Sequence, residues 1–197
     1  PQEAADIVGN HSLICETCLI LFPEVLIPEK PEDCGMQTIA LFSYEGAGVK
    51  LIRLLKEDGA VNLLNRVVKL IKNPHQSQLQ LMPVPAHRVA FRKRGFNPAA
   101  RIAKSCSELW DAPIADLLYR KGIYRQLKSM NRQQRLKMQE GIWQLNTRLI
   151  SEQPEIMEKS ILIVDDVITT GATTISCAKI LRENGFNVIG RVCLAIT

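Results

Sequence analysis

Ile161-Leu162-Ile163-Val164-Asp165-Asp166-Val167-Ile168-Thr169-Thr170-Gly171-Ala172-Thr173-Thr174 is the stretch from which the rest of the chain is best read. Four aliphatic residues in a row, too few for a membrane span and followed at once by two acids, predict a buried strand of a parallel sheet. Past the acids, threonines and a glycine precede a helical pattern in which Ala172, Ile175, Ala178 and Leu181 recur every three residues on one face. The order is strand, loop, helix.

Such a loop stands at the carboxyl end of a strand, where open α/β sheets bind ligands, and at a helix N-terminus, where free N–H groups and the helix dipole favour an anion. A phosphate suits that position. Gly171 lets the backbone take a positive φ or come close to a ligand, and Thr169, Thr170, Thr173 and Thr174 offer hydroxyls without adding charge. Asp165 and Asp166 would repel a phosphate, but ionised carboxylates are pure acceptors and suit a sugar diol or Mg²⁺. A phosphorylated sugar satisfies both halves.

Two other phosphate-binding patterns are absent. No Gly-x-x-x-x-Gly-Lys-Ser/Thr occurs, and Gly46-Ala47-Gly48 lacks the third glycine of the dinucleotide fingerprint. What residues 161 to 174 resemble is the phosphoribosyl-pyrophosphate (PRPP) motif of type I phosphoribosyltransferases: a hydrophobic run, two acids, then Thr-Thr-Gly-Ala-Thr.

The 197 residues are 46% hydrophobic and 23% charged, a globular balance, with apolar runs far below 18 residues and no signal-peptide pattern at the start. A protein without membrane insertion, in the cytoplasm, is expected. Six cysteines are too sparse for a disulfide scaffold. Cys177 on the helix after the loop and Cys193 on a strand read as small core hydrophobes. A net charge of +5 favours polyanionic ligands.

Along the chain, residues 10 to 36 carry Cys15-x-x-Cys18, three prolines and Cys34-Gly35. Paired thiolates two residues apart are zinc-ribbon chemistry. Pro31 stands where a fourth cysteine would, so Cys15, Cys18 and Cys34 are the candidate Zn²⁺ ligands, with His11, Glu32 or Asp33 as a fourth; the alternative is a ribbon folded without metal. Residues 38 to 44 read as a strand, 46 to 56 as a helix, 60 to 72 as a second helix, 79 to 85 as a strand ended by prolines, and 187 to 196 as the last strand. Strand, helix, helix, strand indicates an α/β domain.

After Pro85 comes a basic loop holding His87, Arg88, Arg92, Lys93, Arg94 and Gly95, ahead of a helix from about Pro98 to Trp110. Arginine forks in a glycine-containing loop at a strand end suit a diphosphate. A second basic stretch, 120 to 137, contains no acid and reads either as a phosphate-seeking surface or as a solvated helical face. Residues 151 to 159 read as a surface loop. No Ser-His-Asp or Cys-His order points to a hydrolase.

Taken together, Phe42-Ser43-Tyr44-Glu45-Gly46, Pro83-Val84-Pro85 followed by Arg92-Lys93-Arg94-Gly95-Phe96-Asn97, the arginine-rich stretch and the PRPP motif, behind a cysteine knuckle, resemble the ComF/GntX family of competence-associated phosphoribosyltransferase-like proteins. Asn97-Pro98 departs from the Asn-Gln expected there. The resemblance implies a type I phosphoribosyltransferase fold, an open parallel sheet flanked by helices, over residues 37 to 197, with a zinc-ribbon-like knuckle over residues 1 to 36. It also implies a bacterial link to DNA uptake. On this reading Asp165 and Asp166 hold the ribose hydroxyls or Mg²⁺ at the catalytic centre. Thr169, Thr170, Gly171, Ala172 and Thr173 take the 5′-phosphate of PRPP or another phosphorylated ribose, and Arg88, Arg92, Arg94 and Gly95 take the pyrophosphate. The rival expectation is a non-catalytic competence protein that keeps the pocket but works through single-stranded DNA or a protein of the competence machinery.

Overall fold

Within the strand that precedes the acids, every residue from Ser160 to Val164 is buried, as a strand covered on both faces requires. The structure, a computed structural model, describes residues 25–27, 35–57, 61–71, 73–74, 77–121 and 142–197. In chain order the strands are β1 (Val25–Ile27), β2 (Gln37–Ser43), β3 (Leu79–Pro83), β4 (Leu118–Arg120), β5 (Trp143–Leu145), β6 (Ser160–Val164), β7 (Val167–Ile168) and β8 (Asn187–Ile196). The helices are α1 (Gly46–Glu57), α2 (Val61–Val68), α3 (Arg88–Arg94), α4 (Pro98–Trp110), α5 (Thr147–Glu152) and α6 (Ala172–Glu183), with a 3₁₀ turn at Pro154–Glu158.

The main sheet runs β1-β2-β8-β6-β3, with β7 continuing beside β8. All pairings are parallel except that of β1, which lies antiparallel on β2. This is the expected α/β architecture, an open parallel sheet flanked by helices. Residues 25–27, inside the segment read as a separate knuckle, are joined to the sheet as its edge strand.

Side chains alternate across the pleat and so build two cores. Leu162 and Val164 meet Leu41, Ile52, Leu64, Val67 and Ile102 on the face covered by α1, α2 and α4. Ile161 and Ile163 meet Met82, Trp143, Cys177, Leu181 and Phe186 on the face covered by α6 and the β4–β5 ribbon. Each such aliphatic residue withdraws enough apolar surface to contribute about 2 kcal/mol before entropy is counted. The parity matters beyond the core, because it continues into the two acids.

Three local expectations are corrected. Residues 88 to 94, read as a loop, form α3: His87 caps it by accepting from the Val89 N–H at 3.2 Å, and Gly95 ends it at φ 77°, donating to the Phe91 carbonyl at 2.7 Å. None of its residues is buried, so caps rather than a hydrophobic stripe hold it, which is why periodicity does not reveal it. Residues 151 to 159, read as a surface loop, are the end of α5 and a 3₁₀ turn anchored by buried Ile156. The second helix stops at Val68 rather than 72. Among the described residues no helix is long and apolar enough to cross a membrane.

Candidate functional site

β2, β8, β6 and β3 point the same way, so their carboxyl ends share one edge of the sheet. The loop after β6 and the segment after β3 are neighbours there: Pro83 pairs with Val164, and the Val84 N–H donates to the Val164 carbonyl at 2.9 Å. Strand order thus brings the threonine loop and the basic segment together although about eighty residues separate them in sequence.

The loop itself turns at Gly171, which is buried with φ 70° and caps α6. Among the described residues, no acceptor bonds the amide N–H groups of Thr169, Thr170, Gly171, Thr173 or Thr174; the Ala172 N–H has only a long contact of 3.4 Å to Thr170 Oγ1. Thr169 and Thr170 are exposed and Thr173 is half-buried. With Asp165 these residues line one hollow. Open amides at the start of a twelve-residue helix, ringed by hydroxyls, are the kind of arrangement that favours an anion. Thr174 is different. Its hydroxyl is turned inward, donating to the Gly171 carbonyl at 3.0 Å and accepting from Arg191 Nη1 at 2.9 Å.

Arg191 is the residue that sequence reasoning missed here. Its guanidinium, 2% exposed, reaches from β8 under the loop, with Nε donating to Thr38 Oγ1 on β2 at 2.8 Å. A Cβ on Gly171 would stand 2.6 Å from Arg191 Nη1, so the glycine is required by what lies beneath as well as by its φ. One signal was present: a charge inside the apolar run Val188-Ile189-Gly190-Arg191-Val192-Cys193 is rarely idle.

The two acids part company. By pleat parity Asp165 follows Ile161 and Ile163 toward α6 and enters the hollow under the loop, whereas Asp166 follows Leu162 and Val164 toward α1. Asp165 Oδ1 accepts the Asp166 N–H at 2.9 Å. Its carboxyl is held well above the ordinary value by burial, reinforced by the neighbouring Asp166 charge. Asp166 Oδ1 accepts the Val167 N–H at 2.9 Å, and its Oδ2 pairs with Lys56 Nζ at 2.7 Å. Lys56 also escaped sequence reading, because its partner is over a hundred residues away and it lies on an otherwise unremarkable amphipathic helix.

Between α1 and α3 opens a groove of about 900 Å³ lined by Tyr44, Arg53, Lys56, His87, Lys93 and Arg94 among others, large enough for a small-molecule ligand. Of the four residues read as pyrophosphate ligands, Arg94 lines it. Arg88, Arg92 and Gly95 are exposed on or beside the same helix and do not. The segment is pinned by Asn97, whose Nδ2 donates to the Val84 carbonyl at 2.9 Å while its Oδ1 accepts the Ala99 N–H, and by Phe96 beneath the Arg101 guanidinium. Pro98 occupies the first turn of α4, where its missing N–H costs nothing. Burial, with the Arg120 charge, lowers the His87 pKa. Residues 122–141, and with them most of the second basic stretch, lie outside the described residues.

Cys15, Cys18 and Cys34 also lie outside the described residues. Cys106, Cys177 and Cys193 are buried free thiols, as small core hydrophobes should be, and burial pushes Cys106 up to about 12. Among the described residues no group of three or more His, Cys, Asp or Glu could cage a metal. Mg²⁺ needs no such cage, since one or two carboxylates plus substrate phosphate oxygens hold it, and Asp165 and Asp166 fit that requirement.

Residues 62–196 match the family model for the phosphoribosyl transferase domain. The chain belongs to that family. As a phosphoribosyl transferase domain it is 31% identical over 133 residues to competence protein F of Haemophilus influenzae, covering 64% of this chain and 55% of that protein. It is also 53% identical over 36 residues to an orotate phosphoribosyltransferase of Leptospira biflexa, 18% of this chain and 20% of that enzyme. The chain therefore spans about half the length of the first relative and a fifth of the second.

Proposed function

We propose that the chain binds PRPP with Mg²⁺ and transfers its phosphoribosyl group to an acceptor base. The observation that carries this reading is the loop at residues 169–173 with its open amides, sharing a hollow with the Asp165 carboxylate while Asp166 lies next to it in sequence and faces the neighbouring hollow. In it the 5′-phosphate sits on the amides and hydroxyls of Thr169, Thr170, Gly171, Ala172 and Thr173, and Asp165 and Asp166 accept from the ribose hydroxyls. Arg94, which lines the groove, faces the pyrophosphate, and Arg88 and Arg92 on the same helix and Gly95 at its end add positive charge and a backbone N–H nearby. The acceptor attacks the anomeric carbon, the bond from that carbon to the pyrophosphate oxygen breaks, and its electron pair leaves with pyrophosphate. Mg²⁺, when bound, neutralises part of the charge on that leaving group. The protein's share is positioning and electrostatic neutralisation.

Calorimetric titration with PRPP and Mg²⁺ tests the reading. Wild type should bind, and Asp165→Asn combined with Asp166→Asn should abolish binding while the fold persists by circular dichroism. Undiminished affinity in the double variant rejects the site. Screening free bases for pyrophosphate release then identifies the acceptor.

A second reading draws on the exposed basic helix α3 and on the likeness to a competence protein: the domain keeps its pocket and acts in DNA uptake, through single-stranded DNA or a protein of the competence machinery. Its mark is DNA binding that weakens steeply with salt. Few aromatic residues are available for base stacking, 5% of the chain, which favours the first reading.

A further inference from the structure

Lys56 sits at a junction. Its stem lies against the apolar hollow lined by Ile52, Leu55, Phe96 and Asp166, and it also lines the cationic groove that holds Arg53, His87, Lys93 and Arg94. The ammonium is 2.7 Å from Asp166 Oδ2, with the two side chains 28% and 19% exposed. Asp166 Oδ1 is committed to the Val167 N–H, so the oxygen on which Lys56 rests is the one left to receive a sugar hydroxyl.

We propose that Lys56 is a transferable cation of this site. With the sugar position empty it neutralises Asp166; when the hydroxyls of PRPP take the carboxylate, it turns into the groove and pairs with the pyrophosphate. The inference rests on the reading of the site as a PRPP site. Three physical points carry it.

Ion pairs with access to water contribute little, so leaving Asp166 costs little. The four-carbon stem of lysine swings through several ångströms about its rotatable bonds, with no backbone movement needed. Pairing with a polyanionic pyrophosphate, among cations that would otherwise repel the ammonium, gives stronger charge-assisted bonds than a single shared carboxylate. An empty site is thereby kept from presenting Asp166 as a bare anion to an incoming polyphosphate. Lys56 would act as a positioning and charge-matching residue, distinguishing a ribose that carries pyrophosphate from one that does not.

The test compares two ligands on the full chain. PRPP with Mg²⁺ and ribose 5-phosphate are titrated calorimetrically into wild type, Lys56→Met and Lys56→Arg, with thermal melts as a check on folding. Wild type should prefer PRPP. In Lys56→Met, PRPP affinity should fall about 10- to 100-fold, the range for one lost bond to a charged group. Ribose 5-phosphate affinity should stay unchanged or rise a few-fold, since Asp166 is released. Lys56→Arg should retain much of the preference. Parallel losses for both ligands in Lys56→Met would mark a merely structural residue and overturn the inference alone, as would unaltered PRPP affinity or a wild type that binds both ligands equally. A wild type that binds neither ligand overturns the site reading and this inference with it.

Discussion

Arg191 Nη1 donates to Thr174 Oγ1 at 2.9 Å, joining the middle of the last strand to the first turn of the helix that follows the threonine loop. The same guanidinium holds Thr38 on a third element, so one buried side chain fixes the loop against two strands of the sheet. The arginine beneath the loop thus braces a segment whose own amides make few bonds.

Thr174→Val keeps the shape of the side chain and deletes its hydroxyl, so that Arg191 Nη1 loses this acceptor while the Gly171 carbonyl keeps the Ile175 N–H. Urea unfolding should show a loss of about 1–3 kcal/mol, the cost of stranding a buried polar partner. Thr174→Ser should restore most of it. An unchanged midpoint for Thr174→Val would mean that the hydroxyl contributes nothing to the loop.

Gly171→Ala meets two obstacles together: a φ of 70° that L-residues adopt at a cost, and the Arg191 Nη1 atom 2.6 Å from the new Cβ. The expected result is about 1–3 kcal/mol of lost stability and at least tenfold weaker ribose 5-phosphate binding, read by melting and titration. Full affinity would show that the loop adapts without the glycine.

Asp165 gives a pH signature. Its folded carboxyl is raised above the ordinary value of 3.8 by burial and by Asp166. Above that value the unfolded chain has lost a proton that the folded chain retains, so stability declines as pH rises until the folded group ionises as well. The limiting slope for one proton is about 1.4 kcal/mol per pH unit. Asp165→Asn removes this contribution, so wild type should lose stability relative to the variant as pH climbs from about 4, and the variant should be the more stable at neutral pH. A difference between the two that does not change with pH contradicts the account.

Much of the fold was legible because the sheet strands in question are continuous apolar runs. Residues 161–164 and 187–196 have no other economical use in a globular chain, and Pro98 marks the start of α4 by its own covalent geometry. The motif after β6 was readable from its composition: two adjacent acids and a row of threonines closing an apolar strand are more than burial alone asks for. Helix α3 escaped because nothing of it is buried and its caps, a histidine nitrogen and a left-handed glycine, are weak sequence signals. Lys56 and Arg191 escaped for another reason. Each acts through a partner brought near only by the folded sheet, and no local pattern encodes a contact across 110 or 153 positions. The divergence of Asp165 and Asp166 was in principle deducible from strand parity, since consecutive residues of a pleated strand face opposite ways.

The margins of the main sheet carry a last consequence. Among the described residues, β1 lies outside β2, three residues long and antiparallel. Outside β3, Leu81 donates to the Pro113 carbonyl at 2.8 Å and accepts from the Ala115 N–H at 2.9 Å. A neighbouring molecule seeking to extend the sheet sideways thus finds one rim truncated and the other already stitched to its own chain. Among the described residues, these two rims of the main sheet offer little continuous backbone for a further strand to pair with.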